Sequence, residues 1–324
     1  MVETLRERQI RTMLNLTVLG LIIGNTLSNA APVLLAGLGG MMSEKSGVVN
    51  IGLEGMMTIG ALIGATVGYY SKNPWLGFIC GGLAGMFFGL IHAFVSVTLA
   101  GDQTISGIAI NTLAPGLALF LSRLFFDGAT QTPSIALEDK IPRLFDGMIQ
   151  NQALKNIFSQ YANVYIALIC VVLVYVFLYK TKWGLRLIAV GEHPVAAESL
   201  DVSVVKTRYL AVMFSGFMAG LGGASMSLAV VSVFSPTLIA GQGYIALVCV
   251  IFGNWRPQGV LIGSLFFGLT QAIATYLTGT QIQLPMEFIS MIPYISILIF
   301  LILFNKKSSA PKASGKPYLT EDIG

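Results

Sequence analysis

Long apolar runs separated by short polar breaks dominate the sequence. The runs occupy residues 13–42, 47–70, 75–99, 104–126, 161–180, 209–233, 240–254, 258–278 and 286–304. Most are about 20 residues long, which is the length that an α-helix needs to cross the hydrocarbon core of a bilayer. They are continuous rather than alternating, which excludes a membrane β-barrel. The pattern predicts an all-α polytopic integral membrane protein with about 8–10 transmembrane helices.

Composition supports this class. The 324 residues are 55% hydrophobic and 10% charged, with a mean hydropathy of +0.77, whereas soluble domains carry roughly 25% charged residues. The net charge of +4 does not indicate nucleic-acid binding, because the basic residues lie in short loops and tails as membrane insertion requires. The three cysteines lie inside apolar runs without metal-binding or disulfide spacing. We therefore expect one transmembrane domain, residues 13–304, in the cell membrane.

Two polar segments indicate the orientation. Residues 181–208, here called the coupling segment, are basic and are predicted to be cytoplasmic, like residues 1–12 and the tail 305–324. Residues 127–160, here called the outer loop, are predicted to be extracytoplasmic. Four apolar runs precede the outer loop, however, and four crossings would return the chain to the side on which it started. Either one run is broken or re-entrant, or the amino terminus lies outside.

The region 30–60 is the expected place of such a break. It contains Pro32, clustered glycines and the polar stretch Ser43-Glu44-Lys45-Ser46. Non-helical backbone at membrane depth is tolerated only where protein or a water-filled cavity surrounds it. A break here would therefore lie next to a translocation path.

Small residues recur at every fourth position in several runs. This spacing places them on one helix face, where they allow helix backbones to approach closely. We interpret them as packing residues of a compact bundle. They are Gly60, Gly64 and Gly68; Gly81, Gly85 and Gly89; Gly216, Gly220 and Ala224; and Gly259 and Gly263.

Glu54 is a carboxylate inside an apolar run. With Asn50 and Thr58 it has the spacing i, i+4, i+8, which predicts one polar stripe on a helix. A carboxylate at the centre of a transmembrane helix costs about 2.5–3.5 kcal/mol, so it faces the bundle interior or water. Two interpretations stay open, a place on the translocation path and a structural hydrogen bond between helices.

A second polar cluster opens the run at 104–126. Asp102 precedes the run, where a carboxylate favours the positive end of a helix dipole. Asn111 lies deeper, and Pro115 can kink the helix. We interpret Asp102 and Asn111 as candidate path residues, with helix-to-helix hydrogen bonding as the alternative for Asn111.

Several segments resemble the permease subunits of ABC importers for branched-chain amino acids, simple sugars and nucleosides. "SGVVNIGLEGMM" is similar to the glutamate-containing segment of that family, and "VGEHPVAAESLDV" followed by "SGFMAGLGGA" is similar to its cytoplasmic coupling segment. His193 stands where the family commonly has Asn. That variant, with "DQTISGIAIN" and "IFGNWRPQG", most resembles the nucleoside branch. Asp201 and Val202 depart from the usual Gly-Ile.

The resemblance implies a type II importer-like bundle that translocates nucleosides by alternating access. It implies that a separate cytoplasmic ATPase binds the ATP, so this chain needs no cofactor, metal or catalytic residue. The residues implied to couple to that ATPase are Gly191, Glu192, His193, Pro194, Ala196, Ala197 and Glu198, with the two alanines entering a groove on it. Further implied partners are a second homologous permease, an extracytoplasmic substrate-binding lipoprotein and membrane lipid.

Other substrates and classes stay open. Simple sugars such as ribose, or branched-chain amino acids, would use the same architecture. An ion-coupled secondary transporter would depend on Glu54. An intramembrane enzyme would need a nucleophile with a base, or metal ligands, and the sequence shows neither pattern.

Overall fold

The computed structural model of the protein describes residues 2–278, 285–303 and 310–318, with residues 2–15 as backbone alone. Of the predicted tail 305–324, residues 305–309 and 319–324 lie outside the described residues.

Helices form most of these ranges. An isolated bridge between Arg143 and Tyr161 is the one β-type pairing described there. The helices are α1 (Val2–Lys45), α2 (Leu53–Ser71), α3 (Pro74–Ala93), α4 (Gln103–Phe125), α5 (Gln152–Phe158), α6 (Ala162–Lys180), α7 (Lys182–Glu192), α8 (Pro194–Glu198), α9 (Val204–Ser225), α10 (Gln242–Phe252), α11 (Pro257–Thr278) and α12 (Met286–Leu303). Single π-helical turns, Phe94–Thr98 and Met226–Val230, extend α3 and α9.

Six helices within the described ranges are long and apolar enough to cross a membrane. They are Leu16–Lys45, Pro74–Thr98, Gln103–Phe125, Ala162–Lys180, Val204–Val230 and Pro257–Thr278. The predicted class, an all-α membrane protein, is confirmed. Each predicted apolar run corresponds to a helix, although α10 has only 11 residues.

Helix α2 forms the centre of the bundle, where it packs against α3, α4 and α9. The small-residue stripes make this close packing possible. A methyl group added at Gly60 would collide with the backbone of Gly220, and one added at Gly81 would meet the carbonyl oxygen of Gly60 at 2.6 Å. The interpretation of these glycines as packing residues is confirmed.

Two of the non-helical stretches connect helices at the centre of the bundle and are here called the first and the second break. Pro32 and the glycines after it lie inside a continuous α1, and the first break comes later, at residues 46–52. The region 30–60 is therefore non-helical at its polar end, where residues 46–52 join α1 to α2, and not at the proline. The second break, residues 231–241, lies at the junction of the predicted runs 209–233 and 240–254 and separates α9 and its π-helical turn from α10.

The outer loop and the coupling segment lie at opposite ends of the bundle, because the 19-residue α6 joins them and spans about 28 Å. The start of α1 lies at the outer-loop end, where Asn156 of α5 donates to the carbonyl oxygen of Thr17. Lys45, at the other end of α1, lies against Gly191. The start of α1 thus lies toward the same end of the bundle as the outer loop, whereas the sequence predicts opposite sides for them.

Candidate functional site

The first break is fixed by side chains from three neighbouring helices. Buried backbone groups must find hydrogen-bond partners, and here the partners come from α3, α4 and α9. Gln103 accepts from the amide of Val49 (2.7 Å), and His92 donates to the carbonyl of Val49 (3.0 Å). Further donors are Asn111 to Ile51 (2.8 Å) and Arg208 to Ser46 (3.3 Å).

The second break ends at a short helix that points at Glu54. Helix α10 is about 16 Å long, roughly half the hydrocarbon thickness of a bilayer. The two carboxylate oxygens of Glu54 each accept one backbone hydrogen bond at 2.7 Å, from Gly241 and from Gly243. Glu54 therefore caps the positive end of a half-length helix, the place where other transporters bind anionic groups of their substrates.

Asn111 joins this contact to the first break. Its amide oxygen accepts from the amide of Gly55 (2.8 Å), and its amino group donates to Ile51 and to the hydroxyl of Tyr244 (3.0 Å). Tyr244 is 45% exposed, so the contact reaches the surface of this chain. We call Glu54, Asn111, Gly241, Gly243 and Tyr244 the Glu54 cluster.

The predicted stripe of Asn50, Glu54 and Thr58 is not formed. Asn50 precedes α2, which begins at Leu53, and its buried side chain donates to Ser215 of α9 (2.9 Å). Thr58 donates to the backbone carbonyl of Glu54 (2.8 Å) within α2. The prediction from the i, i+4 spacing is wrong for Asn50 because the chain is not helical there.

Asp102 lies apart from the Glu54 cluster. It is exposed and caps α4, accepting from the amide of Ile105 (2.9 Å). The carboxylate of Asp102 therefore lies at the positive, amino-terminal start of α4, as predicted, but away from the Glu54 cluster.

The coupling segment folds as α7 and α8. Ala197 is 3% exposed and packs in a small apolar cluster with Val190, Val204 and Tyr318. Gly191 is also buried, so neither Gly191 nor Ala197 is available to a partner in this structure. The outward-facing residues here include Ala196, Val195 at 44% exposure and Leu200 at 78% exposure.

The described part of the tail lies on this segment. Ala313 donates to the carbonyl of Gly191 (2.9 Å), and Tyr318 donates to the carboxylate of Glu198. Arg208, which is 1% exposed, also donates to the carbonyl of Lys316 (3.1 Å). One buried cation thus connects the first break, α9 and the tail.

Sequence reasoning missed several of these residues. In the sequence, Arg208 is one of several basic residues of the coupling segment, and no pattern distinguishes Tyr244. Glu44 was noted as polar, but the structure gives it a specific partner, Trp255, whose indole donates to its carboxylate at 2.5 Å. The amide oxygen of Gln242, at the start of α10, is buried and has no partner among the described residues.

Comparison with known proteins establishes the class. The family model described as branched-chain amino acid transport system, permease component, matches residues 22–304. The chain belongs to this family and is a multi-pass protein of the cell membrane. It is 40% identical over 316 residues to the guanosine ABC transporter permease protein NupQ of Bacillus subtilis, with 93% of this chain and 97% of the relative covered.

A second relative is the nucleoside ABC transporter permease protein NupC of Lactococcus lactis subsp. cremoris. It is 37% identical over 314 residues, with 93% of this chain and 97% of the relative covered. Among solved structures, an inward-facing conformation of a putative metal-chelate type ABC transporter matches with a TM-score of 0.51 and 15% identity, covering 91% of this chain and 96% of that one. That likeness shows a shared fold.

Proposed function

We propose that this chain is a transmembrane subunit of an ATP-driven importer that moves nucleosides into the cell by alternating access. The similarity over 93% of the chain to a guanosine permease carries the proposal. The family makes it a transport component, and we assign it no catalytic site of its own.

The Glu54 cluster supports an uncharged substrate. The positive end of α10 is already neutralised by the carboxylate of Glu54 through two hydrogen bonds of 2.7 Å. An anionic substrate would have to displace that carboxylate, whereas the neutral groups of a nucleoside can hydrogen-bond beside it. The hydroxyl of Tyr244, which accepts from Asn111 and can still donate, and the amide of Gln242 offer groups for this purpose.

The partners follow from the mode of transport. A separate ATPase would bind ATP and dock on the coupling segment, covering the exposed apolar side chains of Val195 and Leu200. A substrate-binding protein would dock at the outer-loop end. A second permease would complete the path beside Tyr244, which this chain leaves partly exposed.

The orientation is also a proposal. With the coupling segment in the cytoplasm, the outer loop and the start of α1 both lie outside. If the less apolar, 19-residue α2 is counted as a crossing with α1, α3 and α4, four crossings lead from outside back to outside, and no re-entrant run is needed before the outer loop. The orientation is tested by introducing single cysteines at Thr17 and at Lys182 and measuring which of them a membrane-impermeant thiol reagent labels from outside intact cells. Labelling of the Lys182 position from outside intact cells would reverse the orientation.

Uptake of labelled guanosine by cells that express the complete transporter tests the substrate. Unlabelled nucleosides should compete, and ribose, glucose and leucine should not. Competition by ribose or leucine alone would contradict nucleoside import while leaving the permease class intact.

Ala196→Trp tests the coupling surface, because Ala196 is exposed on α8. We expect the complex to lose ATP-driven uptake or its bound ATPase. Val172→Trp, 61% exposed on the membrane-spanning α6 and away from both docking ends, is the control. Normal uptake by the Ala196 variant would exclude α8 as the docking site.

A further inference from the structure

A large groove lies on the face of the bundle away from the Glu54 cluster. It has a volume of about 1230 Å³ and opens between α3, α6, α7 and α9. Its depth is apolar, with Leu83 from α3, Leu173 and Phe177 from α6, and Phe214 and Phe217 from α9. Such walls suit hydrocarbon and penalise the polar groups of a nucleoside.

The mouth of the groove carries two cations. Arg186 of α7 and Lys206 of α9 line it, together with Trp183, Ser203 and the acidic Asp201. Arg186 lies with its guanidinium carbon 5.4 Å from the centre of the Trp183 ring. Both cations are exposed, and neither has an ion-pair partner within the ranges that the structure describes.

This arrangement is amphipathic in one direction. Apolar walls run along the membrane-spanning helices, and cations with an exposed tryptophan mark the end of the groove, as is typical of the membrane–water interface. Basic pockets between transmembrane helices on the cytoplasmic side bind anionic lipid headgroups. A cytoplasmic ATPase would not enter the hydrocarbon region, and the proposed second permease lies beside Tyr244, on the other face of the bundle.

We propose that this groove binds an anionic phospholipid of the cytoplasmic leaflet. Its phosphate contacts Arg186 and Lys206, and an acyl chain lies along α9 between α3 and α6. The leaflet follows from the proposed orientation, whereas the groove and its cations do not depend on it. Because α7 leads directly into α8, the bound lipid also holds the start of the coupling segment against α9.

Binding is measured by native mass spectrometry of the purified transporter with phosphatidylglycerol and with phosphatidylcholine of the same acyl chains. Two cations at about 1 kcal/mol each would give a preference of roughly 30-fold for phosphatidylglycerol, and the nearby Asp201 lowers it toward about 5-fold. The double variant Arg186→Gln, Lys206→Gln should lose most of it. The control Lys180→Gln, Lys182→Gln removes the same charge from the same end, outside the groove, and should keep it.

Equal binding of the two lipids by the wild type would overturn the proposal. So would an equal loss of preference in the control, since that would show only a general surface charge. Displacement of the lipid by excess inorganic phosphate would show an anion site without an acyl site and would also overturn it.

A second measurement does not depend on the folding of the double variant. Phosphatidylglycerol with brominated acyl chains should quench the fluorescence of Trp183, and the Trp183→Phe variant should lose that part of the quenching. Unchanged quenching in Trp183→Phe would place the lipid away from this groove.

Discussion

The two breaks in the bundle differ in how their non-helical backbone is held in place. In the first break, side chains from three helices satisfy the backbone, and the positive φ of 93° falls on Gly47, which tolerates it. In the second break, Ser232 and Ala240 adopt positive φ values of 68° and 43°, which cost non-glycine residues about 1–3 kcal/mol each. The carboxylate of Glu54 on α2 then accepts hydrogen bonds from the end of the second break and the start of α10. The first break is therefore held by three neighbouring helices without backbone strain at a non-glycine residue, whereas the second break carries such strain.

Glu54→Gln should have the largest effect on this contrast. An amide offers one acceptor and turns its NH2 group toward a second N–H, so one charge-assisted hydrogen bond is lost and the other weakened. At about 1.5–3 kcal/mol for each such bond, nucleoside uptake should fall by roughly 100-fold while assembly is largely kept. Uptake and the yield of the purified complex are the measurements.

Glu287→Gln is the matched control, because Glu287 is exposed at the start of α12. If Glu54→Gln transports as well as this control, the Glu54 cluster is ordinary helix packing.

Arg208→Met should act mainly on stability. It removes the donors to Ser46 and Lys316 and leaves two carbonyls near the first break without their partner. The free energy of unfolding should fall by about 3 kcal/mol, seen as a lower thermal midpoint in detergent, while the assembled fraction still transports. Arg123→Met, exposed on α4, is the control. An unchanged midpoint with lost transport would make the first break the functional one.

Asn111→Leu should affect both breaks, since Asn111 bonds to Gly55, Ile51 and Tyr244. We expect uptake to fall about 10-fold together with a modest loss of stability. Asn163→Leu is the control, because the buried amide of Asn163 has no partner within the described part of the chain. Equal effects of the two variants on uptake would remove Asn111 from the cluster.

Tyr294→Phe should have the smallest effect. It deletes the hydroxyl that donates to the strained Ala240 at 2.8 Å. Interhelical hydrogen bonds in membranes contribute about 0.6 kcal/mol on average, so uptake should change by less than about 5-fold. Tyr276→Phe on α11 is the comparison, and a change as large as that of Glu54→Gln would mean that α12 rather than α2 holds the second break.

Much of the fold could be predicted from the sequence. Apolar runs gave the helices, small residues at every fourth position gave the close packing of α2, α3 and α9, and the charge asymmetry separated the outer loop from the coupling segment. These properties are local, because they depend on whether a residue faces lipid, a neighbouring helix or water.

Less of the candidate site could be predicted from the sequence. Glu54 was identified because a carboxylate in an apolar run is costly, but its partners lie 187 and 189 residues away. Asn50 was placed on the same stripe because its spacing is helical, although the chain turns there. Ala197 was assigned to a partner surface by resemblance, whereas packing against Val190, Val204 and Tyr318 turns it inward.

The sequence by itself determined the class of the protein, a helical membrane permease, and identified one carboxylate that needed a partner. Only the tertiary structure decided that this partner is the start of α10, that the second break is strained, and that a groove with two cations lies on the opposite face. The reason is physical. Hydropathy and periodicity record what each residue avoids, but which buried groups pair with each other is set by how distant helices pack.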